Sequence, residues 1–236
     1  MRRRLIKWAR KMVFGKPRNL AKDYLASVDA IGLVVHVGAH LGQEADVYRQ
    51  LGATRVVWIE GDPETYARLM QRLQEAPRDG DRPIDHVVIC ALVSDAEGRT
   101  VAFHRFNNDG ASSSVHLPTD RKKQRWPGLD TIGDAVELRT RTLESILDDV
   151  GIEPPGNAKS LLVLDVQGHE LSVLAGIGRY ARAFDLCECE VSKEAIYAGG
   201  ALYPDVLAAF ARMGYDLVSH DDGNVPWHGD VIFRRR

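Results

Sequence analysis

Apolar runs and segments of helical spacing alternate along this 236-residue chain. Leu33–Val37, Arg55–Glu60, His86–Leu92, Ser160–Val166 and Phe184–Val191 are short stretches rich in Val, Ile and Leu. Runs of that length and composition predict strands buried on both faces. Between them, Leu41, Ala45 and Tyr48 recur at helical spacing within Leu41–Leu51. Tyr66, Leu69, Met70 and Leu73 do the same behind Pro63, a residue tolerated in the first turn of a helix. Glu170–Ile177 and Leu202–Met213 carry the same period, and Tyr215–Ser219 with Val231–Phe233 predict a final antiparallel pair. Strands alternating with helices imply an α/β architecture with a parallel sheet covered on both faces.

The rhythm breaks over residues 93–141. Thr100–Phe106 alternates like a strand beside a turn at Glu97-Gly98, and Asn107–Asp130 is polar and loop-like. Long loops in compact domains are often functional, so this insertion is a candidate lid or substrate wall. The division expected is a basic helical extension over residues 1–30 and one domain over 31–236 with its insertion at about 93–141.

The stretch VVHVGAHLGQE, residues 34–44, places two glycines where a strand turns into a helix. In an open α/β sheet, ligands bind beyond the carboxyl ends of the strands, and glycine lets backbone approach them closely. A dinucleotide fingerprint starting at Gly38 needs glycines where His40 and Gln43 stand, and no P-loop is present. The spacing therefore points to a nucleoside ligand without a pyrophosphate. Glu60 ends the second strand, where a carboxylate can accept hydrogen bonds from both hydroxyls of a ribose; otherwise it caps the helix that follows.

Charge is unevenly spread. Of the 31 Lys and Arg, eight lie in residues 1–18 and three end the chain, so the body carries 20 against 33 acidic residues. An acidic body argues against a nucleic-acid-binding face. Leu5, Trp8 and Met12 share one face of a basic N-terminal helix, which either packs on the domain or lies peripherally on anionic lipid at the inner face of a membrane. Its cations interrupt any secretory signal, and no stretch is long and apolar enough to span a bilayer. Cys90, Cys187 and Cys189 form neither a zinc pattern nor a disulfide framework, which suits a reducing cytoplasm. Cys187 and Cys189 share a strand face and read as small buried hydrophobes. Trp58 and Trp126 read as packing residues.

Four blocks, in order, carry a family resemblance: VHVGAHLGQE, VVWIEGDPE, LLVLDVQGHELSVLAGI and CECEVSKEAIYAGGALY, with the serine-rich FNNDGASSSVH as a weaker fifth. Over about residues 31–220 the chain resembles S-adenosylmethionine-dependent methyltransferases of the FkbM type. The resemblance implies a Rossmann-like, seven-stranded, mostly parallel sheet with an antiparallel last strand. It implies methyl transfer to a hydroxyl oxygen of a sugar, glycan or secondary metabolite. By motif position, Gly38, His40, Gly42 and Glu60 contact the cofactor, and Ala91 and Leu92 lie near its adenine. His36 stands where many members have Asp, so the methionine end is held by a neutral ring at His36, by Asp165, or by both.

Methyl transfer needs an aligned acceptor and a group to take its proton. Asp165 ends the fourth strand, Gly168 turns the chain, His169 and Glu170 open the next helix, and Glu190 ends the fifth strand. Asp165, His169 and Glu190 are the candidate proton acceptors; His169 is alternatively an exposed helix-start residue, and Glu170 a dipole partner. Asn108, Ser112, Ser113 and Ser114 offer hydrogen bonds to a hydroxyl-rich substrate or form a surface loop, and Tyr197 lines the acceptor pocket or packs. No spacing is diagnostic of a metal. Two other classes compete. A nucleotide-dependent oxidoreductase is disfavoured by His40 and Gln43; a noncatalytic cofactor-binding or membrane-associated scaffold is suggested by His36 and the basic N-terminus.

Overall fold

The computed structural model describes residues 24–25, 27–28, 31–75, 83–152, 159–220 and 227–236. The amphipathic stripe of Leu5, Trp8 and Met12 lies outside the described residues. Among the described residues, no helix is long and apolar enough to cross a membrane.

Seven strands form the main sheet: β1 (Ile31–Val37), β2 (Arg55–Glu60), β3 (Asp85–Cys90), β7 (Lys159–Leu164), β8 (Leu186–Ser192), β9 (Tyr215–His220) and β10 (His228–Arg235). Their spatial order is β3-β2-β1-β7-β8-β10-β9. β1, β2, β3, β7 and β8 pair in parallel, whereas β10 runs antiparallel to both β8 and β9. The architecture is Rossmann-like α/β, with the antiparallel last strand that the resemblance implied.

Strand alternation builds a core on each face. Val34, Val56, Trp58, Leu161 and Val163 point to one side and pack with Tyr48 of α1 (Ala45–Leu51) and Leu69 of α2 (Pro63–Glu75). Val35, Val57, Ile59, Leu162 and Leu164 point to the other. There they meet α4 (Leu143–Asp149), α5 (Glu170–Ala175) and α6 (Tyr203–Arg212) through Ile146, Val173 and Phe210. Each such side chain, removed from water, contributes roughly 1.5–3 kcal/mol. Cys187 and Cys189 are buried on this second face, and Trp58 is fully buried in the first.

Three expectations need correction. The first helix begins at Ala45, not Leu41, because positive φ at Gly38 (82°), His40 (46°) and Gly42 (64°) coils the preceding residues into a turn. His86–Leu92 is not one strand: β3 stops at Cys90, and β4 (Leu92–Ser94) joins a second sheet. The insertion holds more regular structure than one strand and a loop. β4, β5 (Thr100–Phe103) and β6 (Val136–Thr142) form a three-stranded sheet in the order β4-β6-β5. A short helix, α3 (Asp120–Arg125), sits within the polar stretch. β6 and α4 were unforeseen. Their signal was Thr142, which caps α4 by accepting from Ser145 N, followed by apolar Leu143, Ile146 and Leu147.

Candidate active site

The turn after β1 is locked to its neighbours. Gly38 N and Ala39 N both donate to Ile59 O, at 2.9 and 3.1 Å. A Cβ on Gly38 would lie 1.8 Å from Asp165 O, so the backbone at the end of β7 occupies the space a side chain needs. This contact sets how closely β1 and β7 meet at their carboxyl ends, where a cavity of about 230 Å³ opens.

Glu60 forms one wall of the cavity and is only 7% exposed. Its Oε2 accepts from His40 N and its Oε1 from Asp62 N, both at 2.8 Å. Each oxygen keeps a second lone pair for a ligand. Burial pushes the carboxyl up to about 7, against the pull of those two backbone bonds. The next residues are equally constrained. Asp62 is buried, accepts from Thr65 Oγ1 at 3.0 Å and pairs with Arg105 Nη2 at 2.6 Å.

The insertion is stitched over this half of the cavity. His40 Nε2 lies 2.9 Å from Asp109 O, and Gln43 Nε2 is 2.6 Å from His40 Nδ1. Because the Gln43 amide donates to Nδ1, the ring's proton is on Nε2, facing the Asp109 carbonyl. Arg68 Nη2 meets Asp109 Oδ2 at 2.8 Å. Gly110, with φ of 85°, passes beside Thr65 and His40. The cover thus rests on the turn it covers.

The opposite end of the cavity is acidic. Asp165 faces it, with solvent reaching the carboxylate from the cavity. Gln167, at a left-handed φ of 53°, donates from Nε2 to Asp165 Oδ1 at 2.6 Å and to Glu190 Oε2 at 2.7 Å. Tyr197 Oη donates towards Gln167 Oε1 at 2.7 Å, which fixes the amide's orientation. Loss of water inside the protein pushes both carboxyls upward, helped at Asp165 by the charges of Asp230 and Glu44 and at Glu190 by those of Asp165, Asp230 and Glu170. Behind Tyr197 lies Lys122, 3% exposed, its ammonium 3.7 Å from the Tyr197 ring centre and near Phe106 and Trp126. Burial lowers that amine to about 8, and Glu190 and Asp165 draw it partly back.

His169 lines the cavity with both ring nitrogens engaged. Nε2 lies 3.0 Å from Ser94 Oγ, whose proton goes to Asp95 Oδ1 at 2.9 Å, and Nδ1 lies 3.4 Å from His116 Nε2. Burial holds the imidazole down to about 4, helped by His116, so it is neutral at physiological pH.

The structure therefore brings His36, Gly38, His40, Glu60, Ala91, Leu92, Ser113, Ser114, Asp165 and His169 to one cavity wall. It places five other candidates elsewhere. Gly42 packs against Leu69, where a Cβ would come within 2.8 Å of Cδ1. Asn108 and Ser112 bond one another behind the wall. Tyr197 is buried against Lys122 and Phe106, and Glu190 reaches the cavity only through Gln167. His36 is buried, with Nδ1 2.9 Å from Tyr48 Oη and its ring against Trp58, an aromatic slot that explains a ring at this position. Glu170 is buried and accepts from Gly168 N, so it caps its own helix turn and is raised to about 7 by burial.

Sequence reasoning missed Gln167, Lys122, His116 and Asp109. Gln167 sat inside the quoted DVQGHE block, and its central place there was the available signal. Lys122 lies in the run RKKQR, which reads as a solvated face.

Several solved structures are similar at low identity. A magnesium protoporphyrin IX methyltransferase from Synechocystis PCC 6803, with bound SAM, has 11% identity and a TM-score of 0.49, covering 91% of this chain and 76% of that one. A glycopeptide N-methyltransferase, MtfA, complexed with S-adenosylmethionine, has 11% identity and a TM-score of 0.43, covering 94% and 90%. A precorrin-6y C5,15-methyltransferase from Geobacter metallireducens has 10% identity and a TM-score of 0.47, covering 95% and 94%. No curated protein matches the chain. The family model described as the methyltransferase FkbM domain matches residues 36–217. Most of the chain is covered by that match, and the protein belongs to the FkbM-domain methyltransferase family.

Proposed function

We propose that this methyltransferase uses S-adenosylmethionine to methylate a hydroxyl oxygen of an uncharged small molecule, such as a sugar, a glycan or a secondary metabolite. The observation that carries the cofactor reading is Glu60, a buried carboxylate held rigid by two backbone N–H groups with a free lone pair on each oxygen facing the cavity. That is a preorganised acceptor for a ribose diol. Ile59, Ala91 and Leu92 supply apolar wall for a base, and Glu44 and Asp165 supply negative charge for a cationic ligand. The residues present fit the group. Bound there, the cofactor supplies an electrophilic methyl group.

The chain's own residues do the rest. The turn at Gly38–His40 would position the cofactor, Ser113 offers a hydroxyl contact on the insertion side, and the insertion pinned at Asp109 covers this half of the cavity. Asp165 takes the acceptor's proton. His169, neutral and tied to Ser94, orients the acceptor rather than acting as the main base. Among the described residues the charged groups on the cavity wall are carboxylates, with neither Lys nor Arg, which disfavours phosphorylated or carboxylated acceptors.

The test is calorimetric titration with S-adenosylmethionine, S-adenosylhomocysteine and nicotinamide dinucleotides, followed by a radiolabelled-methyl screen of neutral and anionic hydroxyl compounds. Binding of the two sulfur compounds alone and labelling of a neutral hydroxyl are expected. Nicotinamide binding, or transfer confined to amines, would overturn the reading.

A further inference from the structure

The centre of the acidic end is a single amide. Gln167 Nε2 has two hydrogens, and it gives one to Asp165 Oδ1 at 2.6 Å and one to Glu190 Oε2 at 2.7 Å. Two carboxylates on one nitrogen are too close to ionise together without a cation between them. Their surroundings add to the conflict. Asp230 of β10 stands directly opposite Glu190 in register, and the like charges of Glu170 of α5 and of Glu44, at the start of α1, act on Glu190 and Asp165 respectively. Opposing this are Lys122 of α3 and His228, whose Nδ1 is 3.8 Å from Glu190 Oε1. Gln167 itself is held in a left-handed conformation, clamped by Tyr197 Oη on its amide oxygen and by Ser114 Oγ on its carbonyl at 2.8 Å. A non-glycine residue in that conformation persists only where its surroundings over-determine it.

We infer that Asp165 and Glu190 form one acid–base unit holding a single proton in the free protein, that Gln167 positions them, and that the sulfonium cofactor displaces that proton on binding. The inference rests on the methyltransferase reading above and deepens it. The displaced proton goes to solvent, because a positive sulfur in the cavity favours the fully ionised pair. During transfer the methyl–oxygen bond forms, the methyl–sulfur bond breaks, and the acceptor's hydroxyl proton moves to Asp165. The pair then holds one proton again, matched to an uncharged thioether. The base is therefore armed only when the methyl donor is present. Asp165, on the cavity wall, is the catalytic member; Gln167, beside it on the wall, and Glu190, which reaches the cavity through Gln167, are positioning residues.

S-adenosylmethionine and S-adenosylhomocysteine share the ribose, the adenine and the amino-acid end and differ in sulfur charge. Proton changes at Glu60 or elsewhere therefore cancel when the two are compared. The experiment is calorimetric titration of the full chain with each compound at pH 7, in buffers of different ionisation enthalpy, which counts protons released on binding. The expected result is about one more proton released with S-adenosylmethionine than with S-adenosylhomocysteine. Glu190→Gln should abolish that difference and Gln167→Met should cut it by more than half. Both variants should bind S-adenosylhomocysteine within threefold of the wild type, which shows that they are folded. Equal proton counts for the two compounds in the wild-type protein, or a full difference retained in Glu190→Gln, overturn the inference while leaving the cofactor reading intact. Failure of either compound to bind the wild type overturns the cofactor reading, and the inference falls with it.

Discussion

Replacing Glu60 by Gln isolates the cost of burying this cavity-wall carboxylate. The side chain is 7% exposed, and burial moves its carboxyl from 4.5 to about 7. That interval corresponds to ~3 kcal/mol, an upper value because local relaxation softens burial. The sign follows from proton counts. Between pH 4.5 and 7 the folded protein holds the Glu60 proton and the unfolded chain does not, so stability falls as pH rises through this window and levels off above it. Gln cannot titrate. Its amide nitrogen would face one of the two backbone N–H groups now bonded at 2.8 Å, leaving that donor unpaired at ~1–3 kcal/mol at every pH. At pH 5 the variant should therefore be less stable than the wild type. At pH 8 the deficit should shrink or reverse, a change of about 3 kcal/mol in the difference between the two proteins. Urea unfolding followed by tryptophan fluorescence at pH 5, 6, 7 and 8 measures it, with fully buried Trp58 as a reporter. His169 titrates in the opposite sense: its imidazole is lowered to about 4, so it favours the folded state as pH rises from 4 to 6.5. That contribution, and the one from Glu170, cancel in the difference. A difference constant within ~0.5 kcal/mol across the range would refute the buried clamp.

Three further outcomes follow from particular contacts. Gly38→Ala forces a Cβ to 1.8 Å from Asp165 O at a φ of 82°, and should cost ~3–5 kcal/mol from overpacking and left-handed strain together; an unchanged melting temperature would mean that β1 and β7 are further apart than described. Arg105→Met leaves the buried Asp62 carboxylate without its 2.6 Å partner and should cost ~2–4 kcal/mol, with faster proteolysis near Asp109; equal cleavage rates would show that this pair does not pin the insertion. Tyr197→Phe removes the hydroxyl held between Gln167 Oε1 and Ser112 O but keeps the ring over Lys122. It should lose ~1–2 kcal/mol by urea unfolding, and a neutral result would place that proton in solvent contact instead.

The central sheet was legible because each of its strands carries its own information. Arg55–Glu60 was read to the residue, since an unbroken apolar run ending in a carboxylate has few other uses at the edge of a glycine turn. The half of the cavity walled by Gly38 and Glu60 was legible for the same reason. Gly38 and Glu60 sit at the ends of strands whose order the βα rhythm sets, and the cavity opens where they meet. The insertion was legible only in part: alternation at Thr100–Phe106 marked β5, but β6 is half-exposed, with VELRTRT burying only Thr140, so its period-2 signal is diluted by Arg and Glu that a wet sheet tolerates.

The acidic end shows why reading stopped there. Lys122 stands among Arg121, Lys123 and Arg125, and nothing in that run distinguishes the one cation that turns inward. Its direction is decided by long-range partners: Phe106 from the start of the insertion loop and Tyr197 from the segment after β8 complete the slot into which the α3 side chain reaches. A buried ammonium is costly unless other groups replace its water, and here three aromatic rings surround it while the charges of Glu190 and Asp165 favour its charged form. The same slot holds Tyr197 against Gln167, and Gln167 holds the two carboxylates. The chain of contacts thus runs from a surface-like helix of the insertion to the carboxylates of the sheet. Under the proposed function, a change in the insertion would alter the base without touching the turn that holds the cofactor, so acceptor preference could vary in one while cofactor binding stays fixed in the other.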